Sequence, residues 1–467
     1  MTMPQHEPLG EPGRHRPRAA LAAAYGLGVL VTAAVFAAMD RQILVLLAEP
    51  MRQSLGLSDT QVGLLQGLGV TLFSGLAAVP VGWLADRYGR RRVLALCVLV
   101  WTAATAACGL AQDFGSLFLA AVALGIGEAG LTPIVYGLIP DIVSDRRRAL
   151  ANGIYTLAAI LGAGLGIALS GALVEGLGTL RALMPPAASQ LESWRLAFLC
   201  VAVPGPVVAL MILMIRVRPA RSASSTVVAS GPEPRAWPYL SQHRRTVAGI
   251  FGGTGLAGLG LAAVSNWLPV VASRSYGATP AEVGQGIGLA YLAGTAVGAG
   301  GAFWAVRRLA VRHGPATPVR ITSWGLVIAA GVSLCMPAAS QPTHLYILFA
   351  LQVASLIAAS VLAPTMLQDM TPSVIRSRLI AVGGLVSVSM ASISPPLVGL
   401  MSDFWASTPA SLLWSVSLVS AFAMAAGAAL MRTAEAPFVR TVDAVRLENA
   451  TADVGPSGAP GMARSVP

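Results

Sequence analysis

The chain alternates long apolar stretches with short polar connections along most of its length. Twelve of these stretches reach about 20 residues or more, which is the length a helix needs to cross a hydrocarbon core of about 30 Å. The pattern predicts an all-α membrane protein with twelve transmembrane helices, numbered spans 1 to 12. Their predicted limits are 20–47, 60–84, 92–111, 116–140, 149–174, 194–216, 245–272, 281–306, 318–338, 344–369, 377–401 and 408–432.

Composition supports a membrane protein and excludes a soluble one. The 467 residues are 55% hydrophobic and only 11% charged, with a mean hydropathy of +0.70. A soluble domain could not bury that much apolar surface. The four cysteines lie within apolar runs and lack the spacing of metal ligands, so they are predicted to be core residues. No metal or organic cofactor is expected.

The distribution of arginine predicts how the spans are oriented. All 31 basic residues are arginine, and 26 of them fall in the two tails and in the loops that are inside when the N-terminus is inside. Four lie in the opposite loops, namely Arg52, Arg181, Arg195 and Arg274, and Arg41 lies within span 1. Positive charge accumulates on the cytoplasmic side. We therefore expect both termini in the cytoplasm of a bacterium, an inner-membrane location, and a net charge of +11 that serves topology rather than nucleic-acid binding.

A Pro-, Ser- and Arg-rich connection divides the chain into two groups of six spans. The predicted divisions are a disordered tail at 1–19, a first half at 20–216, a linker at 217–244, a second half at 245–432 and a disordered tail at 433–467. The halves repeat local features: Ser58 and Thr279 each precede a span as candidate N-caps. Such a repeat, with a site between the halves near the midplane, is typical of alternating-access transporters.

The loop after span 2 carries the most specific motif in the sequence. It reads Gly82-Trp-Leu-Ala-Asp86-Arg87-Tyr-Gly89-Arg90-Arg-Arg92. This run resembles the loop between helices 2 and 3 of the major facilitator superfamily, and the resemblance implies the twelve-helix fold of that family. It also implies a cytoplasmic gate built from Gly82, Asp86, Arg87, Gly89 and Arg90 against Asp141 and Arg148, with Asp369 and Arg376 in the corresponding places of the second half. The alternative is a basic loop that sets topology and has no gating role.

Spans 1 and 4 show a narrower resemblance. The pair Asp40-Arg41 in span 1 and the run Gly125-Ile-Gly127-Glu128-Ala129 in span 4 resemble the Spinster-type branch of the superfamily. Related span 4 motifs carry a basic residue about seven positions before the glutamate, where this chain has Ala121. Arg41 is then expected to be the cation shared by the two acids.

The charges of spans 1 and 4 are predicted to meet. Counting residues from the outer ends of the two spans places Asp40 and Glu128 about 6 Å apart in depth, at 1.5 Å per residue. An ionisable residue within a span is expensive and usually functional. The hypothesis is that Glu128 and Asp40 load and release a proton while Arg41 changes partner or binds an anionic substrate. The alternative is a permanent structural ion pair.

Polar residues elsewhere in the spans are weaker candidates for substrate contacts. They are Tyr136, Asn152, Tyr155, Asn266, Trp267 and Gln368, and each could equally well bond between helices or lie in an interfacial belt. No acidic residue occurs between Glu282 and Asp369, so the second half is expected to offer an apolar wall. An amphipathic substrate would then place its polar head near Arg41.

These features predict a monomeric, proton-coupled secondary transporter rather than an enzyme. The Spinster-type resemblance implies a lysolipid, a sphingoid-like lipid or another amphipathic anion as the substrate. A proton symporter for small organic or aromatic acids and an uncoupled lipid facilitator remain as alternatives. No pairing of nucleophile and base, phosphate-binding loop or metal-ligand spacing supports catalysis.

Overall fold

The computed structural model describes residues 15–180, 189–217, 236–371, 375–408 and 410–453. Those ranges contain helices and connections but no strand. Twelve helices, α1 to α12, are long and apolar enough to cross a membrane. Their bounds are Leu21–Leu46, Asp59–Tyr88, Arg90–Leu110, Phe114–Ile142, Arg146–Thr179, Ser193–Leu213, Arg244–Tyr276, Pro280–Leu309, Gly314–Ala338, Pro342–Asp369, Arg378–Phe404 and Ser411–Val445. The predicted fold class is confirmed.

Two of the helices are irregular at places that matter below. In α2, residues Leu65–Leu72 form a π-helical segment between two α-helical ones. In α4, one helical segment ends at Glu128 and the next begins at Leu131. Pro133 explains the break in α4, because its nitrogen has no proton to donate to the carbonyl of residue 129.

The predicted N-caps of α2 and α8 are present. Ser58 accepts a hydrogen bond from the backbone N–H of Gln61, whose side chain accepts one from the backbone of Ser58. Thr279 and Glu282 form the same reciprocal pair at the start of α8. Each box satisfies backbone donors that the first turn of a helix leaves without partners.

The chain forms two compact units. The first comprises the described residues of Met1–Ile43 and Leu76–Val228, and its core is built mainly where α3 packs against α4 and α6. The second comprises the described residues of Leu44–Gly75 and Ala229–Pro467. Its core lies where α7 and α9 pack against α12 and includes the buried side chains Phe251, Leu326, Met366, Met424 and Phe438.

These units differ from the halves read off the sequence, because residues 44–75 belong to the second unit. The first part of α2 packs along α11 at very short range. A Cβ on Gly63 would lie 2.3 Å from the carbonyl oxygen of Pro395, and one on Gly67 would lie 2.2 Å from that of Ser392. Only glycine permits this approach of two backbones, so small residues decide where this segment packs.

The predicted disorder after residue 432 is wrong for residues 433–453. The last helix continues without interruption from Ser411 to Asp453. The side chains of Phe438, Val442 and Val445 in this extension are buried within the second unit. Burial of these apolar side chains stabilises the helix beyond its apolar span. The linker predicted at 217–244 contains a short helix, Ala236–Gln242, near its end, and α7 already starts at Arg244. The predicted disorder of the first tail is likewise wrong for residues 15–19, because a helix begins at His15 and continues into α1. Residues 1–14, 218–235 and 454–467 lie outside the described residues.

Candidate functional site

Arg41 of α1 and Glu128 of α4 form a close ion pair in the first unit. The Nε and Nη2 atoms of Arg41 donate to the same oxygen, Oε2 of Glu128, at 3.0 and 2.5 Å. The Glu128 side chain is 1% exposed, whereas the Arg41 side chain is 56% exposed. The carboxylate is therefore held inside the protein, and the guanidinium keeps a face open to a ligand.

The local sequence explains why Glu128 can be buried at this depth. Gly127 lies directly against α3, where an added Cβ would be 2.6 Å from the backbone nitrogen of Trp101. Glu128 also ends the first segment of α4, just before the break in that helix. The second oxygen of Glu128, Oε1, is buried and has no hydrogen-bond partner among the described residues.

Asp40 is equally buried but has a different partner. Its carboxyl is 1% exposed, and both of its oxygens lie 2.8 Å from Oγ1 of Thr105 on α3. The same hydroxyl lies 2.9 Å from the backbone oxygen of Trp101. The structure therefore brings Arg41 and Glu128 together as predicted, whereas Asp40 is directed toward α3.

Counting protons in the Asp40 contact distinguishes two states. A threonine hydroxyl has one hydrogen, so it can donate either to Asp40 or to the carbonyl of Trp101. If Asp40 is ionised, Thr105 donates to it, and the carbonyl keeps only the helical hydrogen bond from the backbone N–H of Thr105. If Asp40 is protonated, it donates to Thr105, and Thr105 donates to the carbonyl. Only the protonated state lets the hydroxyl bond to Asp40 and donate to the carbonyl at the same time.

Replacing Thr105 by valine is expected to lower the stability of the first unit. The change keeps the shape of the side chain but leaves a buried carboxyl without its partner, which costs about 1–3 kcal/mol. Thermal unfolding of the purified protein in detergent measures the loss. Thr105→Ser, which keeps the hydroxyl, is the matched control and should unfold close to the parent. Equal behaviour of the two variants would contradict the assigned contact.

The predicted gating loop forms a compact set of contacts within the first unit. Arg90 bonds to Asp86 at 3.1 Å and to Asp141 at the end of α4 at 3.2 Å, and it also donates to the carbonyl of Gly137 at 2.8 Å. Gly89 has a φ of +96°, which favours glycine and permits the turn between α2 and α3. Arg90, rather than Asp86, thus reaches the neighbouring helix end.

The other predicted gating residues lie in varied surroundings. Arg87 stacks near the rings of Trp83 and Tyr88, at 5.5 and 5.7 Å from their centres. Gly82 has open space where a Cβ would be, and Arg148 is exposed. In the second unit, Asp369 is half-buried at the end of α10, and the side chain of Arg376 lies outside the described residues. The gating role stays a prediction.

Three predicted substrate residues of the first unit lie together. The rings of Tyr136 and Tyr155 meet edge to face with centres 5.4 Å apart, and the Tyr136 hydroxyl lies 2.8 Å from Oγ1 of Thr156. Tyr155 is buried, while Tyr136 is 40% exposed. Asn152 is half-buried one turn before Thr156, whose hydroxyl donates to its backbone carbonyl. Tyr136 is the best placed of the three to meet a ligand.

The predicted substrate residues of the second unit do not form a common site. Trp267 is fully buried, and its indole N–H donates to the carbonyl of Pro395 at 3.2 Å. This bond gives Trp267 a packing role between α7 and α11 instead of the predicted ligand-facing one. The amide of Asn266 donates to the carbonyl of Ala262 in its own helix, and Gln368 is exposed near the end of α10.

Sequence reasoning missed an ionic network in the second unit, which we call the outer network because the arginine distribution predicts this end to be outside. Arg274, near the end of α7, binds both oxygens of Asp59 at 2.8 and 2.9 Å and also binds Glu49 at 2.8 Å. Arg52 forms two further bonds to Glu49, at 2.9 and 3.0 Å. These residues tie the connection before α2 to α7.

Helix α11 completes the outer network. Asp403 accepts hydrogen bonds from the backbone N–H groups of Asp59 and Thr60 and from the Thr60 hydroxyl. Ser402 donates to Asp59 at 2.7 Å. Asp403 therefore caps the first turn of α2 from another helix, where the helix dipole favours a negative charge. An acid 344 residues away is a cap that no local pattern could reveal.

The outer network is expected to weaken in acid through Glu49. Burial would raise the pKa of Glu49, but hydrogen bonds from Arg52 and Arg274 and the charge of Arg274 outweigh it and lower the pKa. A lowered pKa stabilises the folded protein fully above the ordinary value of about 4.3, and this contribution fades as the pH falls through the folded-state value. The difference in unfolding temperature between the parent and Glu49→Gln should therefore be largest at neutral pH and shrink below about pH 4. Glu175→Gln, at an exposed carboxylate, should show no such trend.

Comparison with protein families and curated proteins gives a consistent result. The family model of the Major Facilitator Superfamily matches residues 30–395. An MFS-type efflux pump of Mycolicibacterium smegmatis is 29% identical over 402 residues, covering 84% of this chain and 86% of that protein. A sphingosine-1-phosphate transporter of Mus musculus, SPNS2, is 31% identical over 131 residues, which are 27% of this chain and 24% of the relative.

Solved structures show the same fold. A bacterial homologue of the human lysosomal transporter Spinster, in an inward-facing and unoccupied conformation, matches with a TM-score of 0.74. The match covers 92% of this chain and 98% of the other at 22% sequence identity, so it supports the fold alone. The predicted resemblance to the Spinster type agrees with this match.

Proposed function

Since the chain belongs to the Major Facilitator Superfamily, we propose that it is a proton-coupled secondary transporter that works by alternating access and moves an amphipathic anion. Its membership and the names of its relatives identify it as a membrane transporter and not an enzyme. Proton coupling and the class of substrate are the proposed parts. Location in a bacterial inner membrane with both termini in the cytoplasm is likewise proposed, and the arginine distribution supports it.

The observation that carries the coupling proposal is a mismatch of charges. Two buried carboxyls, Asp40 and Glu128, lie near one arginine, and Arg41 gives both of its contacts to Glu128. A buried charge without a partner is strongly destabilising. Asp40 is therefore best accommodated with a bound proton, which lets it donate a hydrogen bond to Thr105. Any motion that takes Arg41 from Glu128 toward Asp40 would exchange which of the two buried carboxyls has a cation beside it.

The substrate proposal has separate support in each unit. In the first unit, the exposed face of Arg41 can bind a carboxylate, sulfate or phosphate group. In the second unit, α7, α8, α9, α10 and α11 line a cavity of about 250 Å³ whose wall is mainly apolar. It is somewhat smaller than the roughly 300–1,000 Å³ of sites that enclose a whole drug-sized ligand, so it suits part of an apolar chain. A relative named as a sphingosine-1-phosphate transporter is consistent with such a substrate.

Flux measurements in proteoliposomes test the proposed function. A labelled lysophospholipid should cross faster when a pH gradient is imposed, and collapsing the gradient with an ionophore should remove the difference. A soluble aromatic acid should show no gradient-dependent flux. If only the soluble acid moves with the gradient, the substrate class is wrong. If the lysophospholipid equilibrates equally fast without a gradient, the coupling is wrong.

A further inference from the structure

Two cavities join at the ends of α7 and α12 that the arginine distribution predicts to be cytoplasmic. One has a volume of about 280 Å³ and the other about 490 Å³. Arg245, Pro437 and Arg440 line both of them, so together they form one groove, which we call the α7–α12 groove. It lies entirely within the second unit, and none of the residues assigned to proton coupling lines it.

One end of the α7–α12 groove is positively charged. Arg244, Arg245 and Arg440 line it, and no carboxylate is among its lining residues in the described part of the chain. A neighbouring cavity shows the contrast, because there Arg320 binds Glu435 at 2.6 Å and its charge is balanced. Three arginines around one cavity, with no carboxylate among the described lining residues, favour the binding of a phosphate group.

The floor of the same end is polar and ordered. Thr246 and Thr441 are 1% and 3% exposed, and their hydroxyl oxygens lie 3.0 Å apart. Nδ1 of His243 lies 3.2 Å from the Thr441 hydroxyl, and that hydroxyl also donates to the carbonyl of Pro437 at 2.9 Å. This chain of contacts fixes the shape of the floor, so the site does not depend on mobile surface side chains alone.

The other end of the groove is apolar and lies on the membrane-spanning parts of the two helices. Ala248 and Leu430 are exposed there, although both belong to helices that span the membrane. Close packing at Gly249, where a Cβ would lie 2.1 Å from that of Ala434, makes the bottom of the groove narrow. Exposed apolar positions on a spanning helix meet acyl chains.

We propose that the α7–α12 groove binds an anionic phospholipid of the adjacent leaflet. Its phosphate would lie among Arg244, Arg245 and Arg440, and an acyl chain would follow Ala248 and Leu430. A soluble anion would use only the arginine end and leave the apolar end without a partner. Basic pockets between helices on the cytoplasmic side suit lipid head groups for the same reason. The positive-inside rule accounts for arginine on this side, but it does not require a cavity that continues into an apolar groove.

Native mass spectrometry of the full-length protein with defined lipids tests the proposal. Phosphatidylglycerol should bind more tightly than phosphatidylcholine. The double variant Arg245→Gln and Arg440→Gln should weaken phosphatidylglycerol binding about tenfold or more, as expected when charge-assisted bonds are lost. Arg312→Gln removes an exposed arginine that does not line the groove, so it is the matched control and should change the affinity less than twofold.

A second variant tests the apolar end without altering any charge. Ala248→Trp should fill the groove and weaken phosphatidylglycerol binding, while thermal unfolding confirms that the protein still folds. Equal affinity for the two lipids would overturn the proposal, and so would an equal loss in Arg312→Gln. If millimolar inorganic phosphate displaced phosphatidylglycerol while Ala248→Trp had no effect on its binding, the arginines would bind a soluble anion. The proposed lipid site would then be wrong.

Discussion

Replacing Asp40 by asparagine is expected to abolish uphill transport while leaving exchange of substrate across the membrane intact. Asparagine resembles a protonated aspartate in shape and charge, so it fits the buried site beside Thr105 without an unpaired charge. A transporter locked in this state can still change conformation with bound substrate. It cannot release the proton that links transport to the gradient.

The measurement compares two assays on the same proteoliposomes. With a gradient of one pH unit, worth about 1.4 kcal/mol per proton, a transporter that moves one proton with each substrate accumulates it about tenfold. Asp40→Asn should reach a ratio of about 1, because no coupling free energy remains. Counterflow of labelled substrate against unlabelled substrate should continue. Accumulation at the level of the parent would refute the assignment of a proton to Asp40.

Glu128→Gln is the companion variant and should also lose gradient-driven transport while the protein inserts and folds. The reason for this loss differs from that in Asp40→Asn, because glutamine leaves the guanidinium of Arg41 without its counter-charge. Counterflow should therefore decline as well in Glu128→Gln but persist in Asp40→Asn. The same counterflow rate in both variants would mean that the two acids do not have separate roles.

Replacing Arg41 by glutamine is expected to damage stability, coupling and substrate recognition together. Removing the cation leaves the buried carboxylate of Glu128 unpaired, and an uncompensated buried charge costs up to about 3–5 kcal/mol unless the acid takes up a proton. Substrate affinity should fall as well, because the exposed face of the guanidinium is the proposed anion contact. Thermal unfolding and the substrate concentration for half-maximal counterflow measure the two effects separately.

Arg41→Lys is the control for charge alone. Lysine keeps the positive charge but cannot donate to Glu128 through two nitrogens held in one plane. We expect it to recover most of the stability and only part of the substrate affinity. If Arg41→Gln lost coupling but bound substrate as tightly as the parent, Arg41 would act in proton transfer alone.

The cluster around Arg41 shows how far sequence reasoning reaches. The depths of the charged residues follow from the length of each span, so the approach of Arg41 to Glu128 could be predicted by counting residues. Which acid takes Arg41 could not, because it depends on how each helix is rotated and on the side-chain conformations. The hydroxyl of Thr105 was likewise hidden, since a threonine in an apolar span usually bonds to its own helix.

The sequence alone determined the twelve spans, the family motifs and the expected orientation, because apolar length and arginine position are local properties of the chain. Tertiary structure decided which helices share a unit, the burial of Trp267 against α11, and the bonds that join Arg274 to Glu49 and Asp59. Those contacts connect residues more than a hundred positions apart in the chain. Packing of this kind depends on how the surfaces of two helices fit together, so the sequence of one helix does not specify which helix it packs against.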